Sequence, residues 1–339
     1  MFTNIFDSID STDSIETTET TDLVDPNNSN NLLNNQNKFN IYIESIELDD
    51  ILIHDKTKYN SNNHWTDDKK PTDYHDKIKL SNTSKWIDMV RQSYIVLNLC
   101  LTQYEINWLK SAAIIGRQTG KFPKFYNDEL EQLTIKYKLH FDKFFNNDVG
   151  YFVRTENVSL KYGMHGIGPY FNFKSIIESL VTSTIEHDPM KSIESKCLKL
   201  YLFDWLNIDP SMEFRVFVHN HKVTCISQQN LYERHKYFHS LTELEINNSI
   251  HSITNKITDY LSKLFELDHY VKSNIKSFTI DMAIIDDQPY LIEFNSFGSE
   301  YAAGSALFHW ILDRDLLYGI GPIESIIMTN SNIHFRYVK

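Results

Sequence analysis

The hydrophobic and polar positions along the chain predict a globular region that begins near residue 85 and mixes helices with strands. Apolar spacing of three or four residues predicts a helix capped by Asn127, whose buried face comprises Leu130, Leu133, Tyr137, Phe141 and Phe144. The same spacing predicts a helix over 174–186 and another with Ile250, Ile253, Ile257, Leu261 and Leu264 on one face. Strands are predicted for residues 40–53, 151–155 and 197–203. Because strands and helices follow one another without strict alternation, the pattern predicts an α+β fold.

A first hairpin, predicted over residues 213–228, places an arginine among apolar residues. Alternation puts Glu213, Arg215, Phe217 and His219 on one face and Met212, Phe214, Val216 and Val218 on the other. A guanidinium in an otherwise apolar strand needs an anionic partner. Two partners fit Arg215: the Glu213 carboxylate, in a structural pair, or a ligand phosphate, which a guanidinium binds in a bidentate fork.

A second hairpin, predicted over residues 277–297, gathers two carboxylates and an amide. A three-residue loop over 287–289 would pair Asp281 with Asn295. The polar face would then comprise Asp281, Ala283, Leu291, Glu293 and Asn295, and the apolar face Ile280, Met282, Ile284, Ile292 and Phe294. A two-residue loop would turn Asp281 away from the other two polar side chains and break the site.

Asp281, Glu293 and Asn295 offer the oxygen ligands that Mg²⁺ prefers, with its remaining positions left to water and substrate phosphates. No basic residue lies on the same face of this hairpin, so its two carboxylates would repel each other unless a cation or a proton joined them. The pattern therefore predicts a Mg²⁺ site. The alternative is an ordinary solvated face that carries acids.

Arg154 lies on a predicted strand just before a glycine-rich segment, KYGMHGIG, at residues 161–168. A strand cation followed by such a loop could hold nucleotide phosphates through backbone N–H groups. The segment matches neither a Walker A loop nor G-x-G-x-x-G, so a P-loop and a Rossmann site are both unsupported. His235 and His239 have the spacing of zinc ligands, but no H-E-x-x-H motif includes them, and surface histidines are expected there.

The N-terminal residues differ in composition from the rest of the chain. Residues 1–38 are rich in Ser, Thr, Asp and Asn, and the first 30 contain seven acids and neither Lys nor Arg. This segment has too little apolar surface to offset chain entropy, which predicts a disordered acidic tail. Residues 39–145 are expected to form a partly helical N-terminal region that contains a polar loop over residues 55–84.

Charge and cysteine content exclude several classes of protein. The net charge is −12 and basic residues are not clustered, which excludes broad nucleic-acid binding. No run of 18 apolar residues predicts a membrane-spanning helix, and the N-terminus does not have the pattern of a secretory signal. The spacing of Cys100, Cys197 and Cys225 does not match a metal site and three cysteines cannot all pair, so a reducing, cytoplasmic compartment is expected.

Two segments together resemble the cell division cycle protein 123 (D123) family. Residues 204–230, DWLNIDPSMEFRVFVHNHKVTCISQQN, are similar to its block of Trp, Pro and Glu-Phe-Arg-x-Phe-Val that continues into an Ile-Ser-Gln strand. Residues 277–297, SFTIDMAIIDDQPYLIEFNSF, resemble its later block, an Asp on one strand and an acid-Phe-Asn on the next. The Glu-x-Asn pairing also resembles the metal site of the wider ATP-grasp superfamily. The likeness covers about residues 150–300.

The resemblance implies an ATP-grasp fold in which two α+β subdomains clamp ATP, with residues 146–339 as the nucleotide-binding region. It implies that Asp281, Glu293 and Asn295 bind Mg²⁺, that Arg154 and Arg215 contact phosphate, and that the strand over 199–203, with Lys199 and Tyr201, meets adenine through its backbone. The chain departs from the family at Glu293, which replaces a more usual Asp, and at Arg154, which replaces Lys. The segment after Asn295 also lacks the family's Pro and acidic insert.

Two functions follow from the resemblance. The first is an ATP-dependent assembly factor, because the family helps to assemble eukaryotic translation initiation factor 2; a subunit of that factor would be the protein client. The second is an ATP-grasp ligase that phosphorylates a carboxylate and lets an amine attack the acyl phosphate. The sequence shows no pocket for a second substrate and names no catalytic residue, so enzymatic activity stays open.

Overall fold

The structure, a computed structural model, describes residues 39–62, 70–145, 148–267, 275–301, 303–320 and 331–339. Helices and two β-sheets mix along these residues, which confirms the predicted α+β class. The tail predicted for residues 1–38 lies outside the described residues, so its disorder stays a prediction. The boundary predicted between residues 145 and 146 also stays a prediction.

A six-stranded sheet brings the N-terminal strand beside the C-terminal one. Its strands are β1 (Phe39–Ile46), β6 (Glu213–His219), β7 (Lys222–Gln228), β8 (Phe278–Ile285), β9 (Gln288–Ser296) and β10 (Ser331–Val338). Their order across the sheet is β1-β10-β7-β6-β8-β9. The β1–β10 and β10–β7 pairs are parallel and the others are antiparallel. The two predicted hairpins, β6–β7 and β8–β9, are therefore neighbours, joined through β6 and β8.

A four-stranded antiparallel sheet forms the second layer. Its strands are β2 (Tyr94–Cys100), β3 (Tyr151–Arg154), β4 (Ile193–Glu194) and β5 (Cys197–Asp204). β5 is central, with β2 on one edge and both β3 and β4 on the other. The predicted strands over residues 151–155 and 197–203 are thereby confirmed, while β2 was not predicted.

The α-helices are α1 (Leu48–Ile53), α2 (Tyr74–Lys79), α3 (Thr83–Trp86), α4 (Gln103–Thr119), α5 (Asn127–Phe141), α6 (Phe173–Thr182), α7 (Glu243–Leu267) and α8 (Arg314–Leu317). A capping box begins α4: Glu105 N–H donates to Thr102 Oγ1 and Thr102 N–H donates to Glu105 Oε2. Gly120 ends α4 at φ +65°, a conformation that favours glycine. In the described part of the chain, no helix combines the length and apolar character that crossing a bilayer requires.

Two hydrophobic cores hold the layers together. One packs α7 against the six-stranded sheet, with Ile250, Ile253, Ile257 and Leu261 fully or almost fully buried. The other packs α4, α5 and α6 against one face of the four-stranded sheet, including Leu198, Leu200 and Leu202. Tyr201 and Phe203 point to the opposite face of β5 and join the first core. The four-stranded sheet therefore contributes to both cores, and its edge comes close to β8 and β9.

Several local predictions are wrong at element boundaries. Residues 40–53 form a strand only as far as Ile46, after which α1 begins. The polar stretch over 55–84 contains α2 and the start of α3 among its described residues. Asn127 is the first residue of α5 rather than its cap, a position held by Tyr126. Turns and the first residues of helices favour the same polar residue types. Composition alone therefore does not show where a loop ends and a helix begins.

Candidate functional site

A cleft of about 280 Å³ lies where the β5 end of the four-stranded sheet meets β6, β8 and β9. Its lining has an apolar part and a polar, largely charged part. The apolar part includes Phe152, Ile167, Phe203, Trp205, Leu206, Ile208 and Ile292, and the polar part includes Gln92, Arg154, Lys161, Glu213, Gln229, Asp281 and Glu293. Such a pairing of apolar walls with a few convergent polar groups is typical of a small-molecule site.

The β8–β9 hairpin brings its carboxylates together by a route that the sequence did not predict. The turn has two residues, Asp286 and Asp287, both at positive φ, so the predicted three-residue loop is wrong. A β-bulge compensates: Asp281 pairs with Glu293, whereas the next residue, Met282, pairs with Leu291. The extra residue on β9 restores the facing that the short turn would have reversed.

The bulge also exchanges the roles of two apolar residues. Leu291, predicted on the polar face, is fully buried in the core beside Met282. Ile292, predicted for the apolar face, lines the cleft instead. Asp281 and Glu293 are cross-strand partners, and Asn295 pairs with Thr279 two residues further along, so all three polar residues do share one face. The predicted Asp281–Asn295 pairing is wrong, while the predicted common face is confirmed.

Arg215 pairs with Asp281, a partner that the sequence analysis did not consider. The residues face each other across β6 and β8, and the Arg215 Nε and Nη2 atoms donate to the two Asp281 oxygens at 2.8 and 2.7 Å. Arg215 Nη1 donates to the Gly304 carbonyl at 2.7 Å. Asp281 is 3% exposed, so this is a buried, bidentate ion pair. Burial alone would lower the pKa of Arg215, but the Asp281 carboxylate raises it above its usual range.

Arg154 pairs with the other carboxylate and links the two sheets. Its Nη2 donates to Glu293 Oε1 at 2.8 Å, and its Nε donates to Thr83 Oγ1 at 2.9 Å. Arg154 is 1% exposed, and its guanidinium stacks over the Trp86 ring at 4.8 Å. Burial would raise the pKa of Glu293, but Arg154, Lys161 and Arg215 together hold it below its usual range.

These two pairs overturn the argument that repulsion requires a bound cation. The carboxylates of Asp281 and Glu293 each face a guanidinium, supplied by β6 and by β3 rather than by their own hairpin. Charge on the face is therefore already balanced. The acids are also not a solvated face, since Asp281 is buried and Glu293 lines the cleft.

Glu213 has a different environment from the two paired carboxylates. Burial, followed by the nearby Asp281 charge, raises its pKa to about 7. Arg215 lies two residues along the same strand but is engaged with Asp281, so Glu213 is not its partner as one reading of the sequence proposed. A carboxyl that titrates near neutrality inside a cleft can take up or release a proton at physiological pH.

The glycine-rich loop packs against α6 through two of its backbone N–H groups. The Met164 and His165 N–H groups donate to Thr182 Oγ1 and Ser179 Oγ on α6, at 2.8 and 3.2 Å. A Cβ on Gly163 would lie 2.4 Å from the Ser179 carbonyl oxygen, so glycine is required for this close packing. These N–H groups point away from the cleft, whereas Lys161 and Ile167 line it.

Four of the proposed nucleotide contacts lie outside the cleft lining: Lys199, Tyr201, Arg215 and Asn295. Lys199 is exposed on β5, and the Tyr201 hydroxyl donates to the Glu156 carboxylate. The next residues of the chain, Phe203, Asp204 and Trp205, line the cleft instead. Phe203 belongs to the predicted strand 199–203, so that strand reaches the cleft at its end, and its contact with adenine stays a prediction.

Sequence reasoning missed several polar residues of the cleft, among them Gln92, Lys161 and Gln229. Gln229 Nε2 lies 3.4 Å from Asp281 Oδ2, and Lys161 helps to lower the pKa of Glu293. Lys161 is the first residue of the glycine-rich segment 161–168, and this position could have identified it as a cleft residue. Gln92 lies shortly before β2 and Gln229 directly after β7, and the local sequence marks neither as a cleft residue.

His235 is a further correction. It is 1% exposed, stacks on Phe238 with ring centroids 3.6 Å apart, and its burial lowers its pKa to about 4. It is a neutral core histidine rather than the expected surface residue. Within the described ranges no group of three or more His, Cys, Asp or Glu side chains has a metal-binding arrangement.

The donor chemistry of Asp281, Glu293 and Asn295 nonetheless fits a hard cation. A carboxylate oxygen has more than one lone pair, so the guanidinium bonds leave acceptor capacity on both acids. Asn295 is held on the same face by its pairing with Thr279, and its buried Nδ2 atom has no hydrogen-bond partner among the described residues. It lines a neighbouring pocket with Lys77, Phe294 and Phe297, next to the cleft.

Comparison with known proteins gives a family match over the C-terminal half of the chain. The D123 family model matches residues 174–339. A Candida albicans protein described as a translation initiation factor eIF2 assembly protein is 29% identical over 114 residues, which are 33% of this chain and 30% of that protein. A Dictyostelium discoideum protein with the same description is 34% identical over 97 residues, 28% of this chain and 22% of that protein. The matches thus span less than a third of these relatives.

Solved structures give weaker likenesses. Cdc123 from Schizosaccharomyces pombe is 14% identical, with a TM-score of 0.46 over 77% of this chain and 97% of that one. D-alanine-D-alanine ligase from Helicobacter pylori is also 14% identical, with a TM-score of 0.35 over 72% of this chain and 62% of that one. The D123 family model matches residues 174–339, which contain both hairpins of the site, so the chain has the similarity to this family that the resemblance predicted.

Proposed function

We propose that the cleft binds Mg²⁺–ATP and that the protein uses it as an assembly factor whose client is a subunit of translation initiation factor 2. The observation that carries the proposal is the D123 match, which includes β6, β8 and β9 and therefore Glu213, Arg215, Asp281 and Glu293. Two relatives described as eIF2 assembly proteins support the choice of client.

The apolar part of the cleft lining suits adenine. Phe152, Phe203 and Trp205 supply aromatic surface, on which a base can stack. Gln92 Oε1 is buried without a hydrogen-bond partner in the described part of the chain and lines the same cleft. A buried acceptor without a donor is costly, and an exocyclic amino group of a bound base would remove that cost.

The polar, largely charged part of the lining suits phosphates. Arg154 and Lys161 belong to it, and Arg215, which is outside the lining, donates hydrogen bonds to Asp281, which is part of it. A guanidinium presents five N–H groups in a fixed fork, so each arginine can hold a carboxylate and still donate to a phosphate oxygen. Lys161 is exposed at the cleft and takes the phosphate-binding role that the family's usual lysine would have.

Asp281, Glu293 and Asn295 would hold Mg²⁺, which when bound neutralises charge on the ATP phosphates. The paired arginines hold both carboxylates in place in advance of binding. The residues of the chain thus bind and position the nucleotide, and ATP hydrolysis is not required by this arrangement.

A carboxylate–amine ligase is the second candidate, and Glu213 is the observation that favours it. Its pKa of about 7 would let it accept the proton that an attacking amine must lose. The two candidates differ in ATP consumption. A ligase turns over ATP only when a carboxylate and an amine are supplied, whereas an assembly factor needs the client protein.

Reconstitution of translation initiation factor 2 from purified subunits tests the assembly function. The yield of complex, measured by native mass spectrometry, should rise with this protein and Mg²⁺–ATP and fall to the unassisted level in chelator. Lys161→Ala should reduce the yield, while Lys199→Ala, which removes an exposed lysine outside the cleft, should not. A yield that does not depend on this protein would reject the client, and equal loss in both variants would reject the cleft as the site.

A further inference from the structure

Two of the three cysteines lie directly opposite each other in the four-stranded sheet. Cys100, the last residue of β2, pairs with Cys197, the first residue of β5. Beyond them, the Leu101 N–H donates to the Lys196 carbonyl at 2.8 Å. Hydrogen-bonded and non-hydrogen-bonded pairs alternate along an antiparallel ladder, so the cysteines occupy a non-hydrogen-bonded pair.

This position suits a disulfide bond. Cα atoms of a non-hydrogen-bonded pair are about 4.5 Å apart, and their side chains leave the same face of the sheet. Disulfides need a Cα separation of roughly 4.4–6.8 Å, so a bond between Cys100 and Cys197 requires little backbone movement. Sequence spacing could not reveal this pair, because the residues become neighbours only through the β2–β5 register.

The three thiols differ in access to solvent. Cys100 is exposed and Cys197 is half-buried, whereas Cys225 is completely buried in a cluster with Phe217 and Phe308. Burial, and then the neighbouring Cys100, raise the pKa of the Cys197 thiol. An external reagent therefore reaches Cys100 first, and Cys197 is placed to react with whatever forms there.

We propose that Cys100 and Cys197 form a thiol-pair modification site that a small disulfide, such as oxidised glutathione, converts into a cross-strand disulfide. The Cys100 thiolate attacks one sulfur of the reagent, which forms a mixed disulfide and releases one glutathione thiolate. The Cys197 thiolate then attacks the Cys100 sulfur, which forms the Cys100–Cys197 bond and releases the second. Two protein thiols are oxidised, one glutathione disulfide is reduced, and the two protons pass to the released thiolates.

The bond would join the outer end of the four-stranded sheet without reaching the cleft. Cys197 lies six residues before Phe203 on the same strand, on the order of 20 Å away along it. The closed loop contains about 100 residues, so the bond restricts the unfolded chain strongly. The oxidised protein should melt roughly 5 °C higher than the reduced protein.

The test incubates the full-length reduced protein with a series of glutathione redox buffers and counts thiols by mass spectrometry. We expect loss of two hydrogens per chain, a linked peptide containing Cys100 and Cys197, a free Cys225, and the raised melting temperature. Cys197→Ser should stop at a glutathione adduct on Cys100. Cys100→Ser, the matched control, should react more slowly, and circular dichroism checks that both variants fold.

Two results would overturn the proposal. One is a wild-type protein that accumulates the glutathione adduct on Cys100 as Cys197→Ser does, without the internal bond. The other is a bond between copies of the chain, visible as a dimer on a non-reducing gel at the same protein concentration. Either result would mean that the two sulfurs do not meet within one molecule.

Discussion

The two arginine–carboxylate pairs of the cleft have similar distances but different roles in the fold. Arg215 and Asp281 are cross-strand neighbours within the six-stranded sheet, and their side chains are 12% and 4% exposed. Arg154 and Glu293 come from different sheets, and the carboxylate side chain is 24% exposed. The first pair is part of a single sheet, whereas the second exists only where the two layers meet. The Glu293 carboxylate is therefore the more accessible of the two from the cleft.

The comparison predicts the largest stability loss for Arg215→Met. The substitution leaves Asp281 buried without its cation, which should lower the free energy of unfolding by about 3–5 kcal/mol. Chemical denaturation measures this loss. Adding Asp281→Asn should recover part of it, because the uncompensated charge is then removed.

If the double variant loses as much unfolding free energy as the sum of the two single-variant losses, the two side chains are not coupled. Their description as a buried ion pair would then be wrong. The Arg215–Asp281 ion pair seen in the structure revises the expectation from sequence that the partner of Arg215 is either Glu213 or a phosphate. Removal of the Arg215 side chain is expected to affect both nucleotide binding and folding.

Glu213→Gln sharpens the contrast between paired and unpaired carboxyls. The pKa of Glu213 in the folded state, about 7, lies above its unfolded value, so the folded state holds the proton more tightly. Stability should therefore fall as pH rises from about 5 to 7, by up to about 3 kcal/mol. The variant should lose this dependence and be the more stable protein at pH 8. Parallel pH dependences of the unfolding free energy in variant and wild type would contradict the assignment.

Glu293→Gln should lower stability by about 1–3 kcal/mol, because Arg154 keeps only a neutral partner. The repulsion argument from sequence gave the opposite sign, so this variant separates the two accounts. The lowered pKa of Glu293 adds a pH test: its stabilisation is present above the unfolded pKa and is lost as pH falls through the folded one. Denaturation at pH 7 and pH 3 measures both effects, with the exposed Glu194→Gln as control. Equal or greater stability in Glu293→Gln at pH 7 would restore the repulsion account.

Local patterns predicted much of the fold, and long-range pairing explains what they missed. The hairpin predicted over residues 213–228 is confirmed as β6–β7, with its turn at Asn220 and His221. The bulge at Ile292 has no glycine or polar residue that would mark it in the sequence, and Ile292 itself lines the cleft. Two errors, in the turn and in the register, cancelled for Asp281 and Glu293.

The site shows the same division. Asp281, Glu293 and Asn295 were found from strand alternation within one hairpin. Their arginine partners were not, since Arg154 is 139 residues from Glu293 in sequence and no local pattern links them. In contrast, the capping signal at Thr102 and Glu105 was present in the sequence and would have predicted α4.

Calorimetric titration of ATP into the full-length protein, with Mg²⁺ and then with excess chelator, tests the central claim most directly. We predict that binding with Mg²⁺ is at least tenfold tighter than in chelator, a difference of about 1.4 kcal/mol or more. Glu293→Gln should lose most of that difference while still binding weakly in chelator. Absence of binding to the folded protein, or equal affinity with and without Mg²⁺, would contradict the account of the cleft as a Mg²⁺–ATP site.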